Sequence, residues 1–198
     1  MPTPWLKRIR STGQLTVYNK AGAWAVAVDS ALAKFSTLGL GVKLQTGKEE
    51  KSANVVVKLS DGSETYQYYG DTATAQFNAS IMHGQTSTLA DQKKNEIFFA
   101  VIFLPGKVRN VTPEQKELII IHELIHACGL DGGLGNGTHD KNQDHDIEGI
   151  MVANMKVDGK GLIEYMPMKN AKAMPPIRVG TQTLCKLRGI WSTDGCKE

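Results

Sequence analysis

The chain is poor in cysteine and has no long apolar run. Three of its 198 residues are cysteine; Cys185 and Cys196 could form a disulfide, while Cys128 stands alone, so cysteine usage leaves the compartment open. No stretch is long enough to span a bilayer, and the charged N-terminus lacks the apolar run of a signal peptide. We therefore expect no membrane association, with a cytoplasmic location by default or a secreted one where a leader has been removed.

Clustered positive charge is missing as well. The formal net charge is +3, and the lysines and arginines are dispersed instead of forming a basic stripe interleaved with aromatic residues, so nucleic-acid binding is not expected. The sequence contains no internal repeat or low-complexity tract. Apolar residues make up 41% of the chain, which is ample for a core, and the length suits one domain over residues 1–198. We expect a monomer.

The apolar periodicity predicts a mixture of helices and strands. Residues 22–38 and 180–191 have helical spacing, whereas 97–104 is a continuous apolar run of strand length and therefore a buried central strand. The stretch 70–95 is polar and lacks a strong period, so we predict a loop that could include an edge strand. Glycine and proline break up residues 156–180. The other predicted strands are 11–20, 41–44, 54–59 and 65–69.

The segment from Thr112 to Gly129 is predicted to be a buried helix with well-defined ends. Thr112, Pro113 and Gln115 provide an N-cap threonine, a proline at the first helical position and a capping box. Gly129 stands where a left-handed residue ends a helix. The residues between are apolar nearly all round, which is typical of a helix that runs through a core.

Two histidines and a glutamate on this helix are spaced for a metal site. A helix advances about 100° per residue, so His122 and His126 lie about 40° apart, where two imidazoles can reach one ion. Glu123 lies about 60° from His126, which suits a carboxylate that hydrogen-bonds a water on the metal without binding the metal. This H-E-x-x-H pattern predicts zinc ligands at His122 and His126 and a general base at Glu123. Cys128, about 200° from His126, is expected to pack in the core.

The third zinc ligand must come from another part of the chain. We favour His139, because it follows a glycine-dense loop that can bring it back towards the metal. His145 is the main alternative, and Asp131 and Asp140 are weaker ones. His83 is interpreted as an exposed loop histidine.

The acidic run 140–148 partly resembles a calcium-binding loop. Oxygen side chains occupy alternate positions, but His145 stands at the usual glycine position and Met151 at the usual closing glutamate. We interpret the run as a solvated acidic loop and keep Ca²⁺ binding as the alternative.

At these residues the chain resembles the metzincins, the zinc-endopeptidase clan that includes the matrixins. The stretch from His122 to Leu130 is similar to the first nine positions of the clan motif H-E-x-x-H-x-x-G-x-x-H, with Gly129 at the glycine. Gly149-Ile150-Met151 resembles the turn that places a methionine beneath the metal. The resemblance implies an α+β, zincin-like fold: a twisted mixed sheet with an early helix, a central zinc-binding helix and a C-terminal helix. It also implies subdomains of about 11–130 and 131–198.

The sequence departs from the clan motif at the third ligand. The clan ligand would fall at Gly132, so the resemblance implies an insertion that moves the ligand to His139. Asp131 is the near-register alternative, because some clan members use aspartate. Met151 would then follow as the turn methionine and support the ligands.

The resemblance implies a zinc-dependent endopeptidase that acts on protein or peptide substrates. The substrate would lie extended along an edge strand somewhere in residues 78–95. No cysteine precedes residue 15, so latency through a cysteine on the zinc is not expected. Two alternatives stay open: a zinc-binding module closed by a fourth ligand such as His145, and an interaction or structural protein in which the motif is residual.

Overall fold

A five-stranded mixed sheet with helices packed on one face forms the centre of the protein. The computed structural model describes residues 2–80, 84–130, 155–157, 163–165, 179 and 181–192, and for 155–157, 163–165, 181 and 182 it describes the backbone alone. Among these residues, no helix is both long and apolar enough to cross a membrane. The helices are α1 (Lys7–Arg10), α2 (Ala25–Thr37), α3 (Pro113–Ala127) and α4 (Thr181–Trp191). The strands are β1 (Gln14–Lys20), β2 (Lys43–Thr46), β3 (Val55–Ser60), β4 (Ser63–Tyr68), β5 (Asp71–Gln76), β6 (Gln85–Asp91), β7 (Glu96–Pro105), β8 (Met155–Val157) and β9 (Ile163–Tyr165).

The strands of the main sheet lie in the order β2-β1-β3-β7-β6. The first four run parallel, and β6 is antiparallel to β7. Parallel neighbours need a crossover, and α2 supplies it between β1 and β2. The fold is therefore α+β with a mixed sheet, which confirms the predicted class. Among the described strands, β6 lies at the edge of this sheet, beyond β7.

The larger hydrophobic core lies between the sheet and the helices. Apolar side chains of β1, β3 and β7 that face this side meet α2, α3 and the apolar side of α4. Side chains alternate along β7: Ile102 and Leu104 face this core, while Val101 and Phe103 face the other side of the sheet. Both faces of β7 are buried, which explains its continuous apolar sequence.

A hairpin of β4 and β5 covers part of the second face of the sheet. The prediction of a loop over 70–95 is wrong for β5, which is a strand, whereas β6 corresponds to the edge strand that the prediction allowed there. Tyr69 and Gly70 form a two-residue turn with φ of 48° and 93°, the geometry of a tight hairpin. The buried positions of β5 are the small residues Ala73 and Ala75, so the alternation gives only a weak apolar signal.

The remaining predicted elements are confirmed with small shifts of their ends. The early helix forms as α2 after a short 3₁₀ turn at Gly22–Trp24, and the closing helix forms as α4. The predicted strand 41–44 begins two residues later, as β2. The strands predicted at 11–20, 54–59, 65–69 and 97–104 correspond to β1, β3, β4 and β7.

Candidate metal centre

The helix that carries the two histidines begins as the sequence predicts. The Thr112 side chain accepts a hydrogen bond from the backbone N–H of Gln115 at 3.3 Å, and the Gln115 side chain accepts one from the N–H of Thr112 at 2.8 Å. This reciprocal pair is a capping box, and Pro113 follows it. The first residues of α3 therefore determine where the helix begins. This start also sets the direction in which His122, Glu123 and His126 point.

Three backbone carbonyls at the other end of α3 are held by distant residues. The indole N–H of Trp5 donates to Ala127 O at 2.8 Å, and that of Trp191 donates to Cys128 O at 2.9 Å. The backbone N–H of Thr3 donates to Gly129 O at 2.8 Å. Helices leave their last carbonyls without intrahelical partners, and these contacts satisfy three carbonyls at this end. The N-terminal segment and α4 therefore both fix the end of α3.

His122 and His126 point their Nε2 atoms at each other. The two atoms lie 3.1 Å apart, and the ring planes are nearly perpendicular. His122 is only 4% exposed, whereas His126 is partly exposed. Two imidazoles one turn apart thus converge on one point, as their spacing predicts.

The turn after α3 determines the tautomer of His126. Nδ1 of His126 lies 2.6 Å from Leu130 O; a carbonyl only accepts, so Nδ1 carries the hydrogen and Nε2 of the neutral ring carries a lone pair. Gly129, with φ of 109°, turns the chain so that Leu130 O faces the ring. A backbone acceptor behind a histidine is a common way to orient a metal ligand.

The convergent donors fit a zinc ion. Two nitrogens that bind zinc at about 2.0–2.1 Å in tetrahedral geometry lie about 3.3–3.4 Å apart, close to the observed separation. Within the described part of the chain, no group of three or more histidine, cysteine or acidic side chains is placed to hold a metal. The expected further ligand His139, the alternatives His145, Asp131 and Asp140, the methionine Met151 and the acidic run 140–148 all lie outside the described residues, as does His83.

Glu123 is buried between α3 and the start of β6. Its side chain is 2% exposed, and Oε2 accepts a hydrogen bond from Thr86 Oγ1 at 2.7 Å. Burial raises the pKa of the carboxyl to about 7, against the effect of the hydrogen bonds with Thr86, which lower it. A Cβ at Gly84 would lie 2.8 Å from Glu123 Cγ and 3.0 Å from Oε1. The Glu123 carboxyl therefore lies between Thr86 of β6 and Gly84, the residue before that strand.

Sequence reasoning missed Thr86, Gly84, Trp5 and Trp191. Each acts through a contact between segments far apart in the sequence, and its residue type alone carries no signal. Glycine at position 84 could have suggested a close backbone approach, but the surrounding polar stretch gave no partner for it.

The cysteines are placed as expected where they are described. Cys128 is a free, fully buried thiol, and burial raises its pKa. It packs in the core, which confirms the prediction that it points away from the metal site. Cys185 is disulfide-bonded; the expected partner, Cys196, lies outside the described residues.

Comparison with protein-family models, with curated proteins and with solved structures finds no match to this chain.

Proposed function

We propose that the chain is a zinc-dependent endopeptidase. The proposal rests on one arrangement: two histidine Nε2 atoms 3.1 Å apart on α3, with the buried carboxyl of Glu123 next to His122 in the sequence. His122 and His126 would bind the metal, and His139 is the proposed third ligand. When bound, zinc would lower the pKa of a water towards about 7 and polarise the scissile carbonyl.

The chain's own residues supply the proton transfers of peptide hydrolysis. Glu123 takes one proton from the attacking water as the carbon–oxygen bond forms. It then passes that proton to the amine nitrogen as the carbon–nitrogen bond breaks. Leu130 O keeps the His126 ring in the tautomer whose Nε2 can bind a metal.

The layout of the fold supports a zincin-like assignment. An early helix α2, a mixed sheet, the histidine helix α3 and a closing helix α4 follow one another in the order that the metzincin resemblance implies. The edge strand β6 falls within residues 78–95, where the resemblance places the substrate.

We propose that the substrate peptide lies along β6. All seven residues of β6 are partly exposed, and the strand contacts α3 next to Glu123 through Thr86. An extended peptide could pair with the outer edge of β6 through its backbone, which gives affinity without strict sequence specificity. Substrates of this kind are unfolded or loop segments of proteins.

A panel of variants tests the ligand set. Purified wild type should contain one zinc per chain and cleave casein or a peptide library. Glu123→Ala should keep its zinc and lose cleavage, because a base and not a ligand is removed. His139→Ala should lose both, and His145→Ala neither.

Two outcomes would change the assignment. If His145→Ala loses zinc and His139→Ala keeps it, His145 is the third ligand in place of His139, and the proposed mechanism is unchanged. Zinc retained by all four proteins with no cleavage of any library would contradict the peptidase and favour a zinc-binding interaction or structural protein, whose closed site needs no base.

A further inference from the structure

The carboxyl of Glu123 is held from the edge strand and not from its own helix. Thr86 Oγ1 lies 2.7 Å from Glu123 Oε2 and 3.0 Å from Glu123 O. A hydroxyl has one proton, and an ionised carboxylate is the stronger acceptor, so the hydroxyl donates to Oε2. This contact links β6 to the residue that we assign as the general base.

The strand alternation explains why Thr86 faces α3. Successive side chains of β6 point to opposite faces of the sheet. Leu89 packs with the cluster on the second face, and the Gln85 side chain accepts a hydrogen bond from Gln76 N on the hairpin. Thr86 follows Gln85, pairs with Ile102 of the core beneath the helices, and therefore faces α3.

Gly84 keeps space free on the other side of the carboxyl. A Cβ there would come within 2.8 to 3.1 Å of Cγ, Cδ and Oε1 of Glu123, so a side chain at position 84 would displace the carboxyl. Oε2 is thus tied to Thr86, and Oε1 lies beside the residue that has no side chain.

We propose that Thr86 is a positioning residue for the general base, a role that rests on the proposed peptidase function. By occupying Oε2, its hydroxyl presents Oε1 as the oxygen that takes the proton from water and forms the O–H bond. The same proton leaves Oε1 for the amine nitrogen when the peptide bond breaks. Because Thr86 lies on β6, a peptide paired to that strand would be fixed in position relative to the base that acts on it.

Three threonine variants test the role kinetically. Thr86→Val keeps the shape and the strand preference but removes the hydroxyl, and kcat should fall about 10- to 100-fold with KM and zinc content unchanged. Thr86→Ser restores the hydroxyl and should recover kcat to within about threefold of wild type. Thr16→Val, at a partly buried threonine of β1, is the matched control and should leave kcat unchanged.

A second measurement tests the contact without activity. The urea midpoint of the metal-free protein should fall in Thr86→Val when Glu123 is present. The same substitution in a Glu123→Ala background should lower the midpoint clearly less, because the carboxylate acceptor has gone and only the backbone oxygen of residue 123, 3.0 Å from the hydroxyl, remains. An equal shift in both backgrounds would show that Thr86 does not act through Glu123 and would overturn the proposal.

The two measurements separate failure of the inference from failure of the peptidase. An active wild type with equal kcat in Thr86→Val overturns the positioning role and leaves the peptidase in place. An inactive, zinc-loaded wild type overturns the peptidase and with it the positioning role of Thr86. If the urea midpoints still depend on Glu123, the contact between Thr86 and Glu123 itself stands.

Discussion

At the scale of single residues, Gly84 leaves no room for a side chain beside the Glu123 carboxyl. The φ of Gly84 is not in the left-handed region, so space and not backbone conformation requires a glycine there. We predict that Gly84→Ala displaces the Glu123 carboxyl and lowers kcat/KM about 10- to 100-fold, because misplacement of a catalytic group by about 1 Å has effects of this size. Peptide cleavage at fixed zinc loading measures it.

Gly189→Ala is the matched control for this substitution. No described residue lies within 4 Å of a Cβ at Gly189, which is an exposed residue of α4. That variant should keep full activity and gain up to about 1 kcal/mol of stability, since alanine is the better helix former. Full activity of Gly84→Ala would show that the carboxyl has room to move and would contradict the observed packing.

The end of α3 is the feature that matters at the scale of elements. Trp5 and Trp191 each donate an indole N–H to one of its last carbonyls. Phenylalanine at either position would leave a buried carbonyl without its donor, a loss of about 1–3 kcal/mol. We predict a lower unfolding free energy for Trp5→Phe and Trp191→Phe and weaker zinc binding, because the turn that orients His126 follows these carbonyls.

Trp24→Phe controls for the loss of ring volume in this experiment. Trp24 is also buried, but it immediately precedes α2, and its ring lies 5.3 Å from the ammonium of Lys116 in the first turn of α3, far from the end of that helix. Trp24→Phe should lose less stability than Trp5→Phe and Trp191→Phe, and it should bind zinc as tightly as wild type. Equal zinc affinity in all three variants would show that the end of α3 does not control the site. Urea unfolding and a zinc titration give the two readouts.

The hydrogen bond between the β4–β5 hairpin and the 3₁₀ turn Glu50–Ser52, which precedes β3, should make the stability pH-dependent. Tyr66 Oη donates to Glu50 Oε1 at 2.8 Å, and burial followed by this carboxylate raises the pKa of the phenol. The neutral phenol is therefore favoured in the folded state. The neutral phenol contributes fully to the free energy of unfolding below about pH 10, the pKa of tyrosine in the unfolded chain. This contribution is lost as the pH rises above that value.

Urea midpoints between pH 8 and 12 test this sign. Wild type should lose stability more steeply above pH 10 than Tyr66→Phe, which has no phenol to titrate. Glu50→Gln keeps an acceptor but removes the charge, and its curve should lie between the two. Parallel curves for wild type and Tyr66→Phe would show that Tyr66 ionises equally in the folded and unfolded states.

At the scale of the whole molecule, local patterns were predictable and contacts between segments were not. The helical spacing of His122 and His126 and the capping box at Thr112 are properties of neighbouring residues, so the sequence alone predicts them. Thr86 lies 37 positions from Glu123, and Trp5 lies 122 positions from Ala127. Their roles arise only when the sheet brings these segments together.

The hairpin shows a second limit of sequence reasoning. β5 buries the two small residues Ala73 and Ala75 and exposes polar side chains, so its hydrophobicity was too low to mark a strand. Its turn, Tyr69-Gly70, has a tyrosine at a left-handed position, where asparagine, aspartate or glycine is usual. The edge strand that we propose for substrate binding lies in this same weakly patterned stretch.

Zinc-dependent cleavage of an internal peptide bond is the most direct measurement of the central proposal. The chain should be stripped with a chelator, returned to zinc, and incubated with an extended peptide whose products are identified by mass. Wild type should cleave within the peptide only after zinc is restored, and Glu123→Ala should bind zinc equally and leave the peptide intact. Equal cleavage by the two proteins would contradict the assignment of Glu123 as the general base. No cleavage by zinc-loaded wild type would contradict the assignment of the chain as a peptidase.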